Sequence, residues 1–229
     1  DKLFLVFLDW EKAFDKVDQE KMVEAMGRLG VPDKMLRILT SFYHNPQFRV
    51  KDREGKSTYR IQKAGIRQGC PLSPYLFLLI MTVMFHDIHQ EEELEEELEE
   101  NQVIGSMIHE LLYADDTIIY SRNADTLTKL LHAVEAEGGK YGLKLNHNKC
   151  EAMLYYTHDN VKFRNGQPLK AVDEARYLGC MLNDEANAAK EINKRKADTY
   201  ATWKRLAEFW RHGNTEIRDK LVVYDAVIR

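Results

Sequence analysis

The hydrophobic positions of this chain alternate between short apolar runs and longer stripes with helical spacing. Leu3–Leu8 is an almost continuous apolar run, which is the pattern of a strand buried on both faces, and it ends at Asp9. Two similar runs, rich in β-branched and aromatic residues, flank Asp115-Asp116 in residues 111–120 (LLYADDTIIY). This stretch predicts a β-hairpin with two carboxylates at its tip. Residues 143–156 lead into a further predicted strand.

Elsewhere, apolar residues recur at steps of three and four, the spacing of a helix with one buried face. Asp18 is suited to N-cap the first such helix and Pro32 to start the second. Ser73 is suited to N-cap the third, with Pro74 at its first helical position. The helices are predicted at residues 18–30, 33–45, 73–90, 124–141, 184–210 and 215–229. The apolar stripe of the second helix is predicted to comprise Met35, Leu36, Leu39, Phe42 and Tyr43.

The order of these elements predicts an α+β fold, an antiparallel sheet backed by helices and followed by a helical segment. A hairpin turn at Asn165-Gly166 and a strand at residues 177–182 are expected to complete the sheet. We therefore predict a first domain at residues 1–182 and a second, helical one at residues 183–229. The two helices of the second domain are expected to pack on one another.

Acidic residues are concentrated in one part of the chain. Eight of the 37 Asp and Glu residues lie at residues 91–100 (EEELEEELEE), so the net charge of −4 conceals a mildly basic remainder. Leu94 and Leu98 are one helical turn apart in this run, which predicts either an extension of the preceding helix or a solvated connector. Its density of acids should repel nucleic acid, so we expect it to point away from one or to be disordered.

Basic residues are densest at residues 34–67, which hold nine Lys or Arg and two acids. Two antiparallel strands are predicted around Glu54-Gly55, and such a basic ribbon suits a phosphate backbone and a solvated surface equally well. Arg49 and Lys51 are its candidate contacts. The loop that follows, residues 63–74 (KAGIRQGCPLSP), is rich in Gly and Pro, which predicts a close approach of its backbone to another group.

The pair Asp115-Asp116 carries the strongest chemical signal. Two adjacent carboxylates repel each other unless a cation neutralises them, and oxygen ligands of this kind suit Mg²⁺. If the strand at residues 3–8 lies beside the hairpin, Asp9 and Asp115 can share two divalent ions, which activate a hydroxyl and stabilise a leaving pyrophosphate. That chemistry is nucleotidyl transfer. An Asp pair taken alone is more often a polar turn, so the interpretation depends on the distant Asp9 and on the glycine-rich loop.

These segments resemble the reverse transcriptase family, and within it the enzymes of non-LTR (LINE-type) retrotransposons. The resemblance is carried by FLDWEKAFDKV, GIRQGCPLSPYLF, YADD, GLKLNHNKCE and RYLGCML, which follow the order of that family's motifs A to E. It implies a polymerase palm at residues 1–182 and the start of a helical thumb at residues 183–229. It also implies RNA-directed DNA synthesis, with an RNA template, a DNA primer and a deoxynucleoside triphosphate (dNTP) as partners and two Mg²⁺ ions, or Mn²⁺, as cofactors.

Carried over by position, the resemblance implies roles for individual residues. Catalysis falls to Asp9, Asp115, Asp116 and Lys149. The metal ligands are Asp9, Asp115, Asp116 and the Trp10 carbonyl. Nucleotide binding falls to Trp10, Phe14, Gln68 and Gly69. Primer and template contacts fall to Tyr177, Leu178, Gly179, Arg49 and Lys51.

Several of these residues have an ordinary alternative role. Lys149 is either the acid that protonates pyrophosphate or an exposed strand lysine. The ring of Phe14 either excludes a ribose 2′-hydroxyl, which favours deoxynucleotides, or is simply a core aromatic. The seam of Trp203 and Trp210 either follows the template-primer duplex or packs one helix against another.

The remaining features bear on context. The chain begins directly in a strand without a methionine, so we expect a fragment whose fingers lie upstream and which alone incorporates nucleotide poorly. No apolar run reaches 18 residues, so no membrane span is predicted. The odd number of cysteines predicts reduced thiols in an intracellular protein, and the resemblance implies a nuclear location. An RNA-dependent RNA polymerase and an inactive nucleic-acid-binding remnant are the alternative functions.

Overall fold

A computed structural model describes residues 2–53, 55–103, 108–185 and 187–227; Glu54 of the predicted basic hairpin therefore lies outside the described residues. The strands are β1 (Leu3–Leu8), β2 (Gln47–Phe48), β3 (Arg60–Ile61), β4 (Glu110–Tyr113), β5 (Asp116–Ser121), β6 (Glu151–Tyr155), β7 (Lys170–Ala171), β8 (Glu174–Tyr177) and β9 (Cys180–Asn183). The helices are α1 (Ala13–Lys16), α2 (Gln19–Arg28), α3 (Asp33–Tyr43), α4 (Ser73–Ile88), α5 (Glu92–Glu100), α6 (Ala124–Lys140), α7 (Ala188–Arg205), α8 (Ala207–His212) and α9 (Ile217–Val227).

The chain divides into two compact units, Asp1–Asp173 and Glu174–Arg229. This division lies upstream of the domain boundary predicted between residues 182 and 183. The first unit contains the central sheet and helices α1 to α6, and the second contains β8, β9 and the last three helices. No helix in the described parts of either unit is long and apolar enough to cross a membrane.

The first unit is built on a five-stranded sheet with the order β4-β5-β1-β6-β7, in which β1 lies antiparallel between β5 and β6. The predicted bounds of β1 are confirmed, but the prediction that both of its faces are buried is wrong. Phe4, Val6 and Leu8 are buried, whereas the alternate positions are only half buried. Helices cover one face of this sheet, so a near-continuous apolar run is here compatible with a partly open second face.

Three helices, α2, α4 and α6, supply most of the core on the covered face. Asp18 caps α2 as predicted, because its carboxylate accepts hydrogen bonds from the backbone N–H groups of Glu20 and Lys21. The helical spacing of apolar residues predicts one buried face for α6, and its residues Leu127, Leu130, Leu131 and Val134 are all fully buried. Full burial of one such side chain contributes about 1.5–3 kcal/mol. The apolar helix α4 lies in the core as its composition predicts.

One prediction about the helices is wrong, and one apolar stripe is only partly covered. Ser73 is not the N-cap of α4: it lies within the first turn, and its hydroxyl donates to the Arg67 carbonyl at 2.6 Å, which ties the preceding loop to the helix. In α3, Leu39 is buried but Met35 and Phe42 are about half exposed. Helix α3 packs mainly against α2, so much of its apolar stripe is not covered by the core.

The glutamate-rich run forms a helix of its own, α5, and the prediction of its Leu94 and Leu98 seam is confirmed by the burial of both residues. Glu97 forms an ion pair with Lys129 of α6. At the end of α4, the His89 ring contacts Glu95 of α5 at 2.7 Å and Glu110 of β4 at 3.1 Å. The acidic helix is therefore attached to the same unit as the Asp-Asp hairpin.

We expect the stability of this region to fall in alkali because of His89. Its hydrogen bonds to Glu110 and Glu95 raise the pKa of His89 from 6.5 to about 9. A raised pKa in the folded state means that the stabilisation is complete below pH 6.5 and is lost as the pH rises through about 9. The side chain is 24% exposed, which screens the pairs, so we expect a loss of about 2 kcal/mol.

Urea denaturation at pH 6.5 and pH 10 measures this effect in the chain and in His89→Gln. The free energy of unfolding should fall between the two pH values by about 2 kcal/mol more in the parent chain than in the variant. An equal pH dependence in both proteins would show that the pairs of His89 contribute nothing. Other groups that titrate in alkali are common to both proteins, so they cancel in this difference.

The second unit departs from prediction in two places. The strand predicted at residues 177–182 does not complete the central sheet; β8 and β9 form a separate two-stranded sheet, with a turn at Leu178-Gly179. Both turn residues have positive φ, 47° and 81°, as a tight hairpin of this type requires. The helix predicted at residues 184–210 is interrupted at Leu206.

Indole packing spans the interruption between α7 and α8. The rings of Trp203 and Trp210 stack with their centroids 4.7 Å apart, and the Trp210 indole N–H donates to the Trp203 carbonyl at 3.2 Å. Trp203 also meets Tyr224 of α9 edge to face, which confirms that the last helices pack on one another. Ile228, in the helix predicted at residues 215–229, lies outside the described residues.

Candidate active site

The strand register brings two distant acids together. Leu8 of β1 pairs with Thr117 of β5, so Asp9, the next residue, lies beside Asp116, the residue before Thr117. Alternation along β1 places Asp9 on the half-buried face, away from the helices. Because residues opposite each other in a sheet share a face, Asp116 lies on that face too. The spatial relationship predicted between the first strand and the hairpin is thus present.

The hairpin turn holds the third acid at its tip. Tyr113 pairs with Asp116, which leaves Ala114 and Asp115 as a two-residue turn. Ala114 has a φ of 55°, a left-handed conformation that costs a non-glycine residue about 1–2 kcal/mol. Asp115 is exposed and borders a cleft of about 720 Å³ that Asp9 also lines. The tight hairpin therefore holds Asp115 at the border of the cleft that Asp9 also lines.

The electrostatics of Asp116 reflect this grouping. Partial burial raises the pKa of Asp116, and the negative charges of Asp115 and Asp9 raise it further. Like charges held this close make the ionised state of each carboxylate less favourable. A bound cation would relieve that repulsion.

The peptide of Asp9 is held in place by residues 144–150. The Asn146 N–H donates to the Asp9 carbonyl at 2.8 Å, and the Asp9 N–H donates to the Cys150 Sγ at 3.4 Å. Burial raises the pKa of Cys150 to about 11, so its thiol stays protonated beside the acids. Asn146 and Cys150 are not among the site residues predicted from the sequence. The available signal was their position on either side of Lys149.

Lys149 contacts Asp9, and Trp10 is fixed beside the acids by a buried hydrogen bond. The Lys149 Nζ lies 3.6 Å from the Asp9 Oδ2, on a side chain that is 65% exposed. The indole of Trp10 is buried and donates to the Thr117 hydroxyl at 3.2 Å, which links β1 to β5 next to Asp116. Gly138 leaves space for this ring, because a Cβ there would lie 2.9 Å from it.

The donors at this site suit a hard divalent ion. In the parts of the chain that the structure describes, no three His, Cys, Asp or Glu side chains are close enough to form a complete metal site. Mg²⁺, however, uses only one or two protein carboxylates and takes its other oxygens from phosphate and water. The carboxylates of Asp9, Asp115 and Asp116, whose charges act on one another, fit that requirement.

A second pocket, of about 410 Å³, is lined by Phe14, Gln68 and Gly69. Ala13, the residue before Phe14, borders the cleft that Asp9 and Asp115 line. Two adjacent residues therefore line the cleft of the acids and this second pocket. The ring of Phe14 is half buried and stacks on Phe77 at 5.0 Å, so it is both a core contact and a wall of the pocket. These three predicted nucleotide-binding residues lie together.

The glycine-rich loop is held against the segment that carries Phe14. The Ile66 N–H donates to the Phe14 carbonyl at 2.7 Å, and the Gln68 side-chain amide donates to the Asp15 carboxylate at 2.9 Å. Asp15 is not among the predicted site residues, although it lies only six positions after Asp9. The amide of Gln68 is thereby fixed at the edge of the pocket.

The remaining predicted site residues lie elsewhere. Arg49 and Lys51 are exposed on the β2–β3 hairpin, where the Arg49 guanidinium lies over the Tyr59 ring at 5.0 Å. Lys51 forms an antiparallel bridge with Lys56, so the predicted basic ribbon exists as a hairpin with short strands. Tyr177, Leu178 and Gly179 form the turn of β8 and β9 in the second unit. Their roles stay predictions.

Comparison with known proteins identifies relatives among mobile elements. The chain is 25% identical over 83% of its length to a Pol polyprotein of the type-1 retrotransposable element R2 of Nasonia vitripennis, and covers 19% of that protein. It is 26% identical over 81% of its length to the RNA-directed DNA polymerase of the mobile element jockey of Drosophila funebris, and covers 20% of it. The chain thus spans about a fifth of these relatives.

The fold has counterparts among solved structures, including apo telomerase of Candida tropicalis truncated from its C-terminal domain. That match has a TM-score of 0.58 at 19% identity and covers 80% of this chain and 34% of the telomerase. The predicted α+β class, with a sheet backed by helices, is confirmed. A family model described as reverse transcriptase (RNA-dependent DNA polymerase) matches residues 2–182. The chain therefore belongs to the reverse transcriptase family, and its relatives there are proteins of non-LTR retrotransposons.

Proposed function

We propose that this chain carries the polymerase centre of a non-LTR retrotransposon protein and copies RNA into DNA. In the proposed reaction, the 3′-oxygen of a DNA primer forms a bond to the α-phosphorus of a dNTP, the bond to the β-phosphate oxygen breaks, and pyrophosphate leaves. The observation that supports it most is the pairing of Leu8 with Thr117, which sets Asp9 beside Asp116 on the open face of the sheet. The match of the family model to residues 2–182 supports it independently.

In this proposal, the acids of the site bind the cofactor. Asp9, Asp115, Asp116 and the Trp10 carbonyl would hold two Mg²⁺ or Mn²⁺ ions. When bound, such ions lower the pKa of the attacking hydroxyl and neutralise charge on the phosphates. The chain itself contributes a fixed backbone at Asp9 and a turn at Asp115 whose conformation is set before substrate binds. Placing charge before the reaction avoids reorganisation during it.

Lys149 is proposed as the proton donor to the leaving pyrophosphate. Its ammonium lies 3.6 Å from the Asp9 carboxylate and is otherwise exposed, so it can move towards a phosphate oxygen in the same cleft. Donation of its proton to the oxygen of the breaking bond would offset the charge that develops there.

The other proposed contacts orient the substrates. Gln68 and Gly69 would contact the incoming nucleotide and template from the loop of the second pocket. The turn at Tyr177, Leu178 and Gly179 would contact the primer. Arg49 and Lys51 would contact template phosphates, and phosphate contacts of this kind position a nucleic acid without reading its sequence.

Primer extension on a defined RNA template tests the proposal in the full-length protein. We expect template-dependent incorporation of dNTPs that requires Mg²⁺ or Mn²⁺ and is lost in Asp115→Asn. A protein that only binds nucleic acid would bind template-primer equally well in both forms and extend it in neither. An RNA-dependent RNA polymerase would extend with ribonucleotides in preference to dNTPs.

Replacing Phe14 with Ala is expected to weaken the discrimination against ribonucleotides. The ring borders the pocket beside Gln68 and Gly69, so its loss opens space for a 2′-hydroxyl. We expect the ratio of ribonucleotide to deoxynucleotide incorporation to rise about tenfold to a hundredfold. Phe14→Leu, which keeps most of the bulk, should change the ratio less. An unchanged ratio in Phe14→Ala would show that this ring serves only the core contact with Phe77.

A further inference from the structure

We propose that His147 is a positioning residue that sets Lys149 against Asp9, an inference that rests on the proposed function. His147 borders the same cleft as Asp9 and lies two residues before Lys149. No role for it follows from the motif resemblance. What singles it out is the pair of contacts that hold its imidazole.

The imidazole of His147 is held on an edge and on a face. Its Nε2 lies 2.8 Å from the Glu135 Oε1 of α6, and its ring stacks on Phe163 with centroids 3.9 Å apart and planes 11° apart. The side chains of His147 and Glu135 are 30% and 13% exposed. Contacts in two directions leave the ring little rotational freedom.

Glu135 is itself held by a second partner. The Glu135 Oε2 accepts a hydrogen bond from the Arg164 N–H at 2.9 Å. Each oxygen of this carboxylate therefore has its own partner, Arg164 at Oε2 and the His147 ring at Oε1. Residues 163 and 164 begin a tight turn in which the Gly166 N–H donates to the Phe163 carbonyl at 2.8 Å. His147 therefore connects its loop to both α6 and this turn.

The loop that carries His147 is a short turn with its ends fixed. The backbone N–H groups of Lys149 and Cys150 both donate to the Asn146 carbonyl, at 2.9 and 3.0 Å. The Asn146 N–H in turn donates to the Asp9 carbonyl. Within this turn Asn148 is exposed, whereas the His147 side chain is directed to the protein. Its anchorage therefore sets the orientation from which the Lys149 side chain extends.

This orientation matters because Lys149 is long and solvated. Ordering such a side chain costs up to about 2 kcal/mol of conformational entropy. When His147 fixes the backbone from which Lys149 extends, the Lys149 ammonium samples a smaller volume and stays near Asp9. A misplacement of 1 Å at a reacting group can cost as much as a hundredfold in rate, even when the substituted residue does not touch the substrate. His147 would thus affect the chemical step through Lys149.

A double-mutant cycle in the full-length protein tests this inference. Single-turnover incorporation of one dNTP is measured for the parent, His147→Ala, Lys149→Ala and the double variant. We expect His147→Ala to slow the step about tenfold while the half-saturating dNTP concentration changes less than about twofold. In the Lys149→Ala background the same substitution should cost less than about twofold, because residues that act together are not additive.

Two further variants separate positioning from folding. His147→Phe keeps a ring to stack on Phe163 but cannot form a hydrogen bond with Glu135. Glu135→Gln keeps an acceptor for the Arg164 N–H while removing the charge. Both variants should lose less incorporation rate than His147→Ala, with an unchanged unfolding midpoint. His132→Ala is the matched control. The His132 Nε2 also links α6 to the segment that contains Lys162, whose carbonyl oxygen lies 2.9 Å away. The replacement of His132 should nevertheless leave nucleotide incorporation unchanged.

The outcomes are distinct. An undiminished tenfold loss in the Lys149→Ala background, or no loss in the parent background, overturns the role of His147 while leaving the polymerase proposal intact. Equal losses in His132→Ala and His147→Ala also overturn it, because they would reflect general loosening of α6. If the parent itself incorporates no nucleotide, the proposed function fails, and the inference fails with it.

Discussion

Replacing Asp115 with Asn is expected to lower the single-turnover rate of nucleotide incorporation by roughly a thousandfold or more. Asn has the same shape and tolerates the tight turn, so the hairpin tip is retained while one negative charge is lost. Asp115 is exposed, so its replacement does not disturb the core. A cation-binding carboxylate contributes several kcal/mol to stabilisation of the transition state, and each 1.36 kcal/mol is a factor of ten in rate.

The measurement is rapid-quench primer extension at saturating dNTP and Mg²⁺, with Asp125→Asn as the matched control. Asp125 is an acid in the first turn of α6, so its replacement removes the same charge from a helix terminus outside the cleft. That variant should keep its activity within about twofold, apart from a small effect on the helix dipole. An Asp115→Asn protein that retained a tenth of the parent rate would contradict the assignment of Asp115 as a catalytic ligand.

The main acids were predictable from sequence because each lies at the end of a strand with a strong local signal. The apolar run of β1 stops at Asp9, and the hairpin of β4 and β5 turns at Asp115. Local pattern does not determine strand order, and the motif resemblance supplied the expectation that β1 and the hairpin are neighbours. The register of Leu8 with Thr117 then sets which faces the carboxylates share.

The supporting contacts were not predictable because they join segments that are far apart in sequence. The Asp9 N–H meets the Cys150 Sγ across 141 residues, and nothing in the local pattern of either residue indicates the other. The same holds for His147, whose partner Glu135 lies on an amphipathic helix that presents several other polar side chains. Motif order predicts a role for Lys149, but only the folded chain shows that His147 and Asp9 lie next to it in the same cleft.

Burial was predicted less well than element type. Hydrophobic pattern indicates which residues prefer the interior, but the layer that covers them is a property of the whole fold. The half-exposed Met35 and Phe42 of α3 and the open face of β1 illustrate this. At β1 the difference matters for function, since the uncovered face is the one that carries Asp9.

The loop at residues 63–74 combines a sequence prediction with a structural result. Its Gly and Pro content predicts a close approach of its backbone to another group, and the structure identifies that group. Gly65 has a φ of 87°, and a Cβ there would lie 2.7 Å from the Asp15 carbonyl oxygen. The Gly65 N–H donates to the Val17 carbonyl, and the N–H of the next residue, Ile66, donates to the Phe14 carbonyl. Gly65 is therefore the point at which the loop presses directly on the backbone that carries Phe14.

Gly65→Ala is accordingly expected to destabilise this chain by about 3 kcal/mol, which combines about 1 kcal/mol for the left-handed backbone with about 2 kcal/mol for the clash. The neighbour at 2.7 Å is backbone, so it cannot rotate away as a side chain would. Relief of the clash requires the loop to move off residues 14–17, which displaces Gln68 from Asp15 and opens the Phe14 pocket. The affinity for dNTP should therefore fall together with stability.

Urea denaturation measures the first effect, and Gly166→Ala isolates its cause. Gly166 has nearly the same φ, 82°, but a Cβ there would meet no atom within 4 Å. Its substitution should cost only the conformational part, about 1 kcal/mol, and leave the half-saturating dNTP concentration unchanged. If both variants lost the same stability, the close approach of Gly65 to Asp15 would have no energetic consequence. If Gly65→Ala kept the dNTP affinity of the parent, the position of this loop would have no effect on nucleotide binding.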